Sequence, residues 1–126
     1  WSDMAKFARS GGEANAIAIR LARASTGKEK VAVCGYHGWH DWYLSVDLNK
    51  KKKLNDLLFP GISMNGIPRG LKGSTIPFEY NDYKQIEKIA TNNDLAAIKM
   101  EVQRNQLPKN KFLEKIRELC NKKKLY

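Results

Sequence analysis

Apolar positions recur at helical spacing between Glu13 and Ser25, where Ala14, Ile17, Leu21 and Ala24 line one face and Arg20 and Arg23 another. Gly11-Gly12 before this run and Gly27 after it are the expected helix punctuation. Beyond the break at Thr26–Glu29, Val31–Cys34 is short, β-branched and apolar, the pattern of a buried strand. Asn81-Asp82 reads as a helix cap before Tyr83, Ile86, Ile89 and Ala90, and Asn92-Asn93-Asp94 as the end of that helix. Leu95–Met100 predicts a second buried strand, and Phe112, Ile116, Leu119 and Cys120 a further helix. Upstream, Ala5–Arg9 reads as a strand running into the glycines, and Leu125-Tyr126 as the first step of another. Between Ser45 and Thr75 the periodicity dissolves into Gly61, Gly66, Gly70, Gly73, Pro60 and Pro68, which predicts a long loop with short ordered pieces.

The order strand, helix, strand, loop, helix, strand, helix argues for an α/β domain with a largely parallel sheet and right-handed crossovers. Such a sheet needs helices on both faces. With 126 residues there is room for one small domain at most. The opening at Trp1 instead of Met, with no leader pattern, reads as an excised piece, and a truncated sheet would leave apolar edges uncovered.

Charge changes this picture little. The net charge of +10 suggests nucleic acid or an anionic surface, but Lys50–Lys53 and Lys122–Lys124 hold seven of the 23 cations. Lys outnumbers Arg 17 to 6, whereas bidentate phosphate and base recognition favours Arg. Two solvated Lys-rich segments are the favoured reading, and a small basic nucleic-acid-binding module is the rival. No apolar stretch is long enough to span a bilayer, so no membrane partner is expected. Cys34 and Cys120 form neither a disulfide framework nor a zinc site, which suggests a reducing, cytoplasmic compartment.

Candidate chemistry gathers at three junctions, where parallel sheets collect ligands at the carboxyl ends of strands. At Ser10-Gly11-Gly12-Glu13-Ala14, glycines let backbone approach an anion, and the helix start offers free amides and a positive dipole end. A plain tight turn explains the same residues equally well. At Gly35-Tyr36-His37-Gly38-Trp39-His40-Asp41-Trp42, an aromatic ring could stack on a flat heterocycle. A metal reading through His37, His40 and Asp41 lacks a clear further ligand, so no metal site is assigned. The competing account buries Trp39 and Trp42 in the core at a helix start. At Lys99-Met100-Glu101, the carboxylate is a plausible polar anchor, and Lys99 reads as a charge-paired or edge-strand lysine before a Schiff-base one.

The succession Ser10–Ala14, Ala18–Ala24, Thr26-Gly27 and Tyr36–Asp41 resembles the class III pyridoxal-phosphate aminotransferases, and within them most closely the glutamate-1-semialdehyde 2,1-aminomutase group. The resemblance is strong over 1–43 and moderate over 79–121, with the loop of about 45–75 variable in the family. It implies a partial α/β/α sandwich over 1–126, a truncated piece of a fold-type I large domain with a mostly parallel sheet. It implies pyridoxal 5'-phosphate as cofactor, with Ser10, Gly11 and Gly12 at its phosphate, Tyr36 on its ring and His37 alongside. Glu101 resembles the family's glutamate near the cofactor, and Asn105 its asparagine near the cofactor hydroxyl, at a spacing one residue shorter. Gly12 stands where the family has Ser or Thr, and Val102 where it commonly has Pro.

The Schiff-base lysine and the acidic partner of the pyridine nitrogen lie downstream in the family, so no catalytic residue is assigned and this segment alone is expected to be silent. The whole protein implied is a homodimer moving an amino group through a pyridoxamine intermediate, on small amino or keto substrates. An aminotransferase acting on a keto-sugar or another carbonyl compound is the alternative among enzymes.

Overall fold

A computed structural model of the chain describes residues 3–48, 65–103 and 105–126. The Lys50–Lys53 run and most of the expected loop, including Pro60 and Gly61, lie outside the described residues.

Helix α1 spans Gly11–Thr26. Its start is closed twice: Ser10 Oγ accepts from the Glu13 N–H at 3.2 Å, and the Glu13 carboxylate accepts from the Arg9 N–H at 2.8 Å. Caps of this kind contribute about 1 kcal/mol. Gly27 ends it at φ 69°, where its N–H reaches the Arg23 carbonyl. Strand β1 (Lys30–Cys34) follows, then the short α2 (Asp41–Leu44) running into a 3-10 turn at Ser45–Leu48. A second 3-10 turn at Arg69–Leu71 leads to β2 (Thr75–Pro77), α3 (Tyr83–Asn92), β3 (Leu95–Met100) and α4 (Phe112–Lys123).

The sheet is parallel with order β2-β1-β3, so β1 is central. Its register slips between the pairs Lys30↔Leu95 and Val31↔Ala97, which leaves Ala96 as an extra residue and turns Leu95 and Ala97 to opposite faces. Val31, Val33 and Ala97 pack with Ile19 and Ala22 of α1 and with Trp42–Leu44. Ala32 and Leu95 pack on the other face with Ile86 and Ala90 of α3 and Phe112, Ile116 and Leu119 of α4. The result is the three-layer α/β/α arrangement expected from the alternation of elements.

Three expectations change. The face of α1 on the sheet is that of Ile19 and Ala22, while Ala14, Leu21 and Ala24 of the expected face are exposed. Residues 5–9 form no strand: Phe7 is 90% exposed, and the segment pairs with none of the three strands. The end of the expected loop is instead strand β2, three residues long at a sheet edge that tolerates Pro77. The first step of another strand at the C-terminal end is present. Tyr126 N–H donates to the Ala96 carbonyl at 3.2 Å, and its carbonyl accepts from Ile98 at 2.7 Å, the alternation of a parallel ladder. Lys122 and Lys123 occupy the last turn of α4, where cations complement the carboxyl end of the helix dipole, which accounts for that run without a ligand.

Candidate functional site

Three segments meet at the carboxyl ends of β1 and β3. The first meeting is backbone on backbone. A Cβ placed on Gly38 (φ 104°) would lie 2.6 Å from the Gly12 Cα, a distance no side chain accommodates. The start of α1 and the loop after β1 therefore touch through two glycines, and a side chain on Gly38 would part them, whereas a Cβ on Gly12 would lie at an ordinary 3.5 Å from the Gly38 Cα. A Cβ on Gly12 would also lie 3.2 Å from His40 Nε2, so that imidazole stands where a side chain at position 12 would begin. A Cβ on Gly11 would meet nothing within 4 Å, and the first amides of the helix have no partner within it.

The second meeting joins the β1 loop to β3. A Cβ on Gly35 (φ 90°) would come within 2.7 Å of Glu101 Oε2, so the carboxylate packs directly on the Gly35 backbone. Between the two glycine contacts lie Tyr36 and His37. His37 is 1% exposed, and its Nε2 pairs with the Cys34 carbonyl at 2.8 Å, while the Lys99 backbone also hydrogen-bonds the ring. Burial, aided by the Lys99 charge, pushes its pKa down to about 4 against the pull of those two backbone bonds. The imidazole is thus neutral near pH 7 and ties the ends of two neighbouring strands. Tyr36 is half-buried with its ring edge-on to Tyr43 at 5.9 Å, and Tyr43 donates its hydroxyl proton to the Gly35 carbonyl at 2.8 Å. Asn15, one turn into α1, donates to the His37 carbonyl at 3.1 Å.

The structure therefore brings Ser10, Gly11, Gly12, Tyr36, His37 and Glu101 into one continuous neighbourhood. Asn105 is exposed on the segment after β3. Trp42 is in the core and Trp39 is 73% exposed, so the two tryptophans divide. Among the described residues no group of three His, Cys, Asp or Glu side chains is arranged to hold a metal ion. Burial, with Glu101 and Glu79, pushes the Cys34 thiol up to about 11, which disfavours its thiolate. Lys99 is half-buried, and burial lowers its pKa while Glu101 opposes the shift. Among the described residues no helix is long and apolar enough to cross a membrane.

Asn15 and Tyr43 escaped the motif reading. Asn15 is a lone amide in a helix of small apolar residues, and that polar interruption was the available signal. Tyr43 looks in sequence like any core aromatic.

No family model matches the chain. It is 37% identical over 130 residues to the 3-aminobutyryl-CoA aminotransferase of Cloacimonas acidaminovorans, covering 94% of this chain and 27% of that protein. It is also 37% identical over 120 residues to the glutamate-1-semialdehyde 2,1-aminomutase of Sulfolobus acidocaldarius, covering 90% of this chain and 27% of that protein. The crystal structure of a glutamate-1-semialdehyde aminomutase from Pseudomonas aeruginosa PAO1 superposes with a TM-score of 0.70 at 25% identity, over 92% of this chain and 26% of that one. The chain spans about a quarter of the length of the curated relatives it matches.

Proposed function

The chain belongs, as a segment, to the class III pyridoxal-phosphate aminotransferases and aminomutases, and from that membership we propose that the whole protein uses pyridoxal phosphate to move an amino group on a small amino or keto compound, as a glutamate-1-semialdehyde 2,1-aminomutase does. The observation that carries this reading is the contact between Gly12 and Gly38. It supports the reading because a helix start, whose first amides have no partner inside the helix, meets the loop that carries Tyr36, and a phosphate joined to a flat ring would use the two together.

The residues present fit such a group. The amides at Gly11 and Gly12, with the α1 dipole end behind them, would take the phosphate, and the Ser10 hydroxyl, accepting from Glu13 N–H, keeps its own proton to donate. Tyr36 would flank the ring, its loop fixed from below by His37, Asn15 and Tyr43. Glu101 and Asn105 would lie toward the ring's polar edge. When bound, the cofactor supplies the electron sink for breaking bonds at the amino-bearing carbon. The part of this segment is to bind and orient it.

The proposal extends to a homodimeric whole protein acting in the cytoplasm, and to a silent segment. On this reading the lysine that bonds the cofactor lies outside this segment, and Lys99 takes no part in it. Titrating the whole protein with pyridoxal phosphate tests the reading. Binding by the wild type that weakens on Tyr36→Ala supports it; absent binding, or binding indifferent to Tyr36→Ala, refutes it. Borohydride reduction of the isolated segment with pyridoxal phosphate should label no lysine stoichiometrically, and such labelling of Lys99 would sink the silent-segment claim.

A further inference from the structure

The turn between β2 and α3 makes contacts that neither strand pairing nor helix capping requires. Asn81 stands there at φ 69°, in the left-handed region. Its amide engages one stretch of backbone in both senses: Nδ2 donates to the Leu107 carbonyl at 3.1 Å, and Oδ1 accepts from the Lys109 N–H at 2.9 Å. Its neighbour Tyr80 donates its hydroxyl proton to the Val102 carbonyl, with its ring edge-on to Phe112 at 5.1 Å. Two adjacent residues thus hold both ends of the stretch from 102 to 107.

The described residues of that stretch have little packing of their own, since Val102 is 68% exposed and Leu107 66%. It leaves β3 directly after Glu101, whose carboxylate rests on Gly35, and it carries Asn105. A segment with few buried apolar contacts takes its geometry from its hydrogen bonds. We infer that the Tyr80-Asn81 dipeptide is a positioning element for the site: by holding both ends of the loop after β3, it sets where Glu101 and Asn105 are presented. The inference rests on the functional reading above for what those two residues face.

The test uses the whole protein that carries this segment. Asn81→Gly keeps the left-handed backbone and deletes both amide bonds; Asn81→Asp keeps the acceptor for Lys109 and loses the donor to Leu107. Tyr80→Phe keeps the ring on Phe112 and removes only the hydroxyl, which also serves if the Asn81 variants fold poorly. Hydrogen exchange is read at the amides of 103 and 105–107, and pyridoxal-phosphate affinity by titration. For Asn81→Gly, exchange should quicken at least about fivefold. The dissociation constant should rise about tenfold, the low end of what supporting partners contribute to a bound group. Asn81→Asp should recover part of both losses, and Tyr80→Phe should show smaller changes of the same sign. Unchanged exchange overturns the clamp, and faster exchange with unchanged affinity overturns the positioning role. If the wild type binds no pyridoxal phosphate, the functional reading fails, and the exchange rates alone decide whether the dipeptide holds the loop.

Discussion

The two faces of the sheet are built by different rules. On the α3–α4 face, Ile86, Leu95, Phe112 and Leu119 bury regular apolar stripes, and no buried polar side chain interrupts them among the described residues. On the α1 face lie all three of the buried polar residues, His37, Ser45 and Thr75, among those described. Ser45 Oγ donates to the Trp42 carbonyl at 2.8 Å, and Thr75 Oγ1 bonds the same carbonyl. Trp42 Nε1 and Arg23 Nη2 are buried there with no hydrogen-bond partner among the described residues. Gly35 and Gly38 hold positive φ there as well. One face carries stability through area and shape, whereas the other gives up regularity to bring three loops together.

The largest effect expected from that division is on the apolar face. Phe112→Ala removes a ring that is 1% exposed and should cost about 4 kcal/mol of stability, read from the urea midpoint of the whole protein. Protein that remains folded should lose no more affinity than Tyr80→Phe does, because the Phe112 ring reaches the site only through its contact with Tyr80. A matching loss of affinity would show that the two faces are not separable.

Gly38→Ala is the converse. The added methyl would overlap Gly12, and the φ of 104° is one that alanine resists, so a penalty of about 3 kcal/mol is expected. Here the loss should appear mainly in cofactor affinity, because the two loops can part without opening the α3–α4 core. A large fall in melting temperature with unchanged affinity would reverse the assignment.

How much of this was legible from residues alone follows the same division. β1, α3, β3 and α4 could be read because their apolar positions are the ones buried, and Asp82 caps α3 as expected by accepting from Gln85 N–H at 2.9 Å. α1 was legible as a helix but not in its orientation, since Ala14, Leu21 and Ala24 of the expected face are exposed while Ile19 and Ala22 meet the sheet. Spacing alone does not say which of two apolar faces is covered. Strand β2 was missed because three residues ending in Pro77 carry no period. Residues 5–9 were misread because an apolar run does not say whether an edge is free to receive it. At the site, Ser10-Gly11-Gly12 was legible as a helix start, but a glycine gives no sign of what it faces, so the contacts Gly12–Gly38 and Gly35–Glu101 were invisible. His37 was set beside the cofactor by the resemblance alone; that its ring engages the ends of two strands could not be read from the residues. Asn81 was seen only as part of a cap, its second task depending on a loop 26 residues away.

That histidine gives a pH signature confined to the α1 face. Its pKa is near 4 when folded and 6.5 ordinarily, so between these values the unfolded chain binds a proton that the folded chain refuses. The contribution is full above pH 6.5 and is lost as pH falls toward 4, up to about 3 kcal/mol by the linkage between pKa and stability. Urea midpoints at pH 7.5 and 4.5 should therefore draw closer together in His37→Gln than in the wild type. An identical pH slope in both would remove His37 from the account.

The smallest effect tests whether the α1 face is tuned for something other than stability. Serine is a better helix former than glycine by about 0.5 kcal/mol, so Gly12→Ser near the start of α1 should stabilise the helix slightly. The new Cβ, however, meets His40 Nε2 at 3.2 Å, the far end of an exposed side chain that can turn aside at some cost. The two terms nearly cancel, and Gly12→Ser alone should change stability by less than about 0.5 kcal/mol. In a His40→Ala background the obstruction is gone, and the same substitution should yield its full gain. A double-mutant cycle reads this difference directly. Coupling of that sign would mean that Gly12 and His40 share one volume, so that the hydroxyl the family places at position 12 is exchanged here for an imidazole reaching the same spot. Strict additivity would mean that the ring merely passes by and that the two residues share no volume.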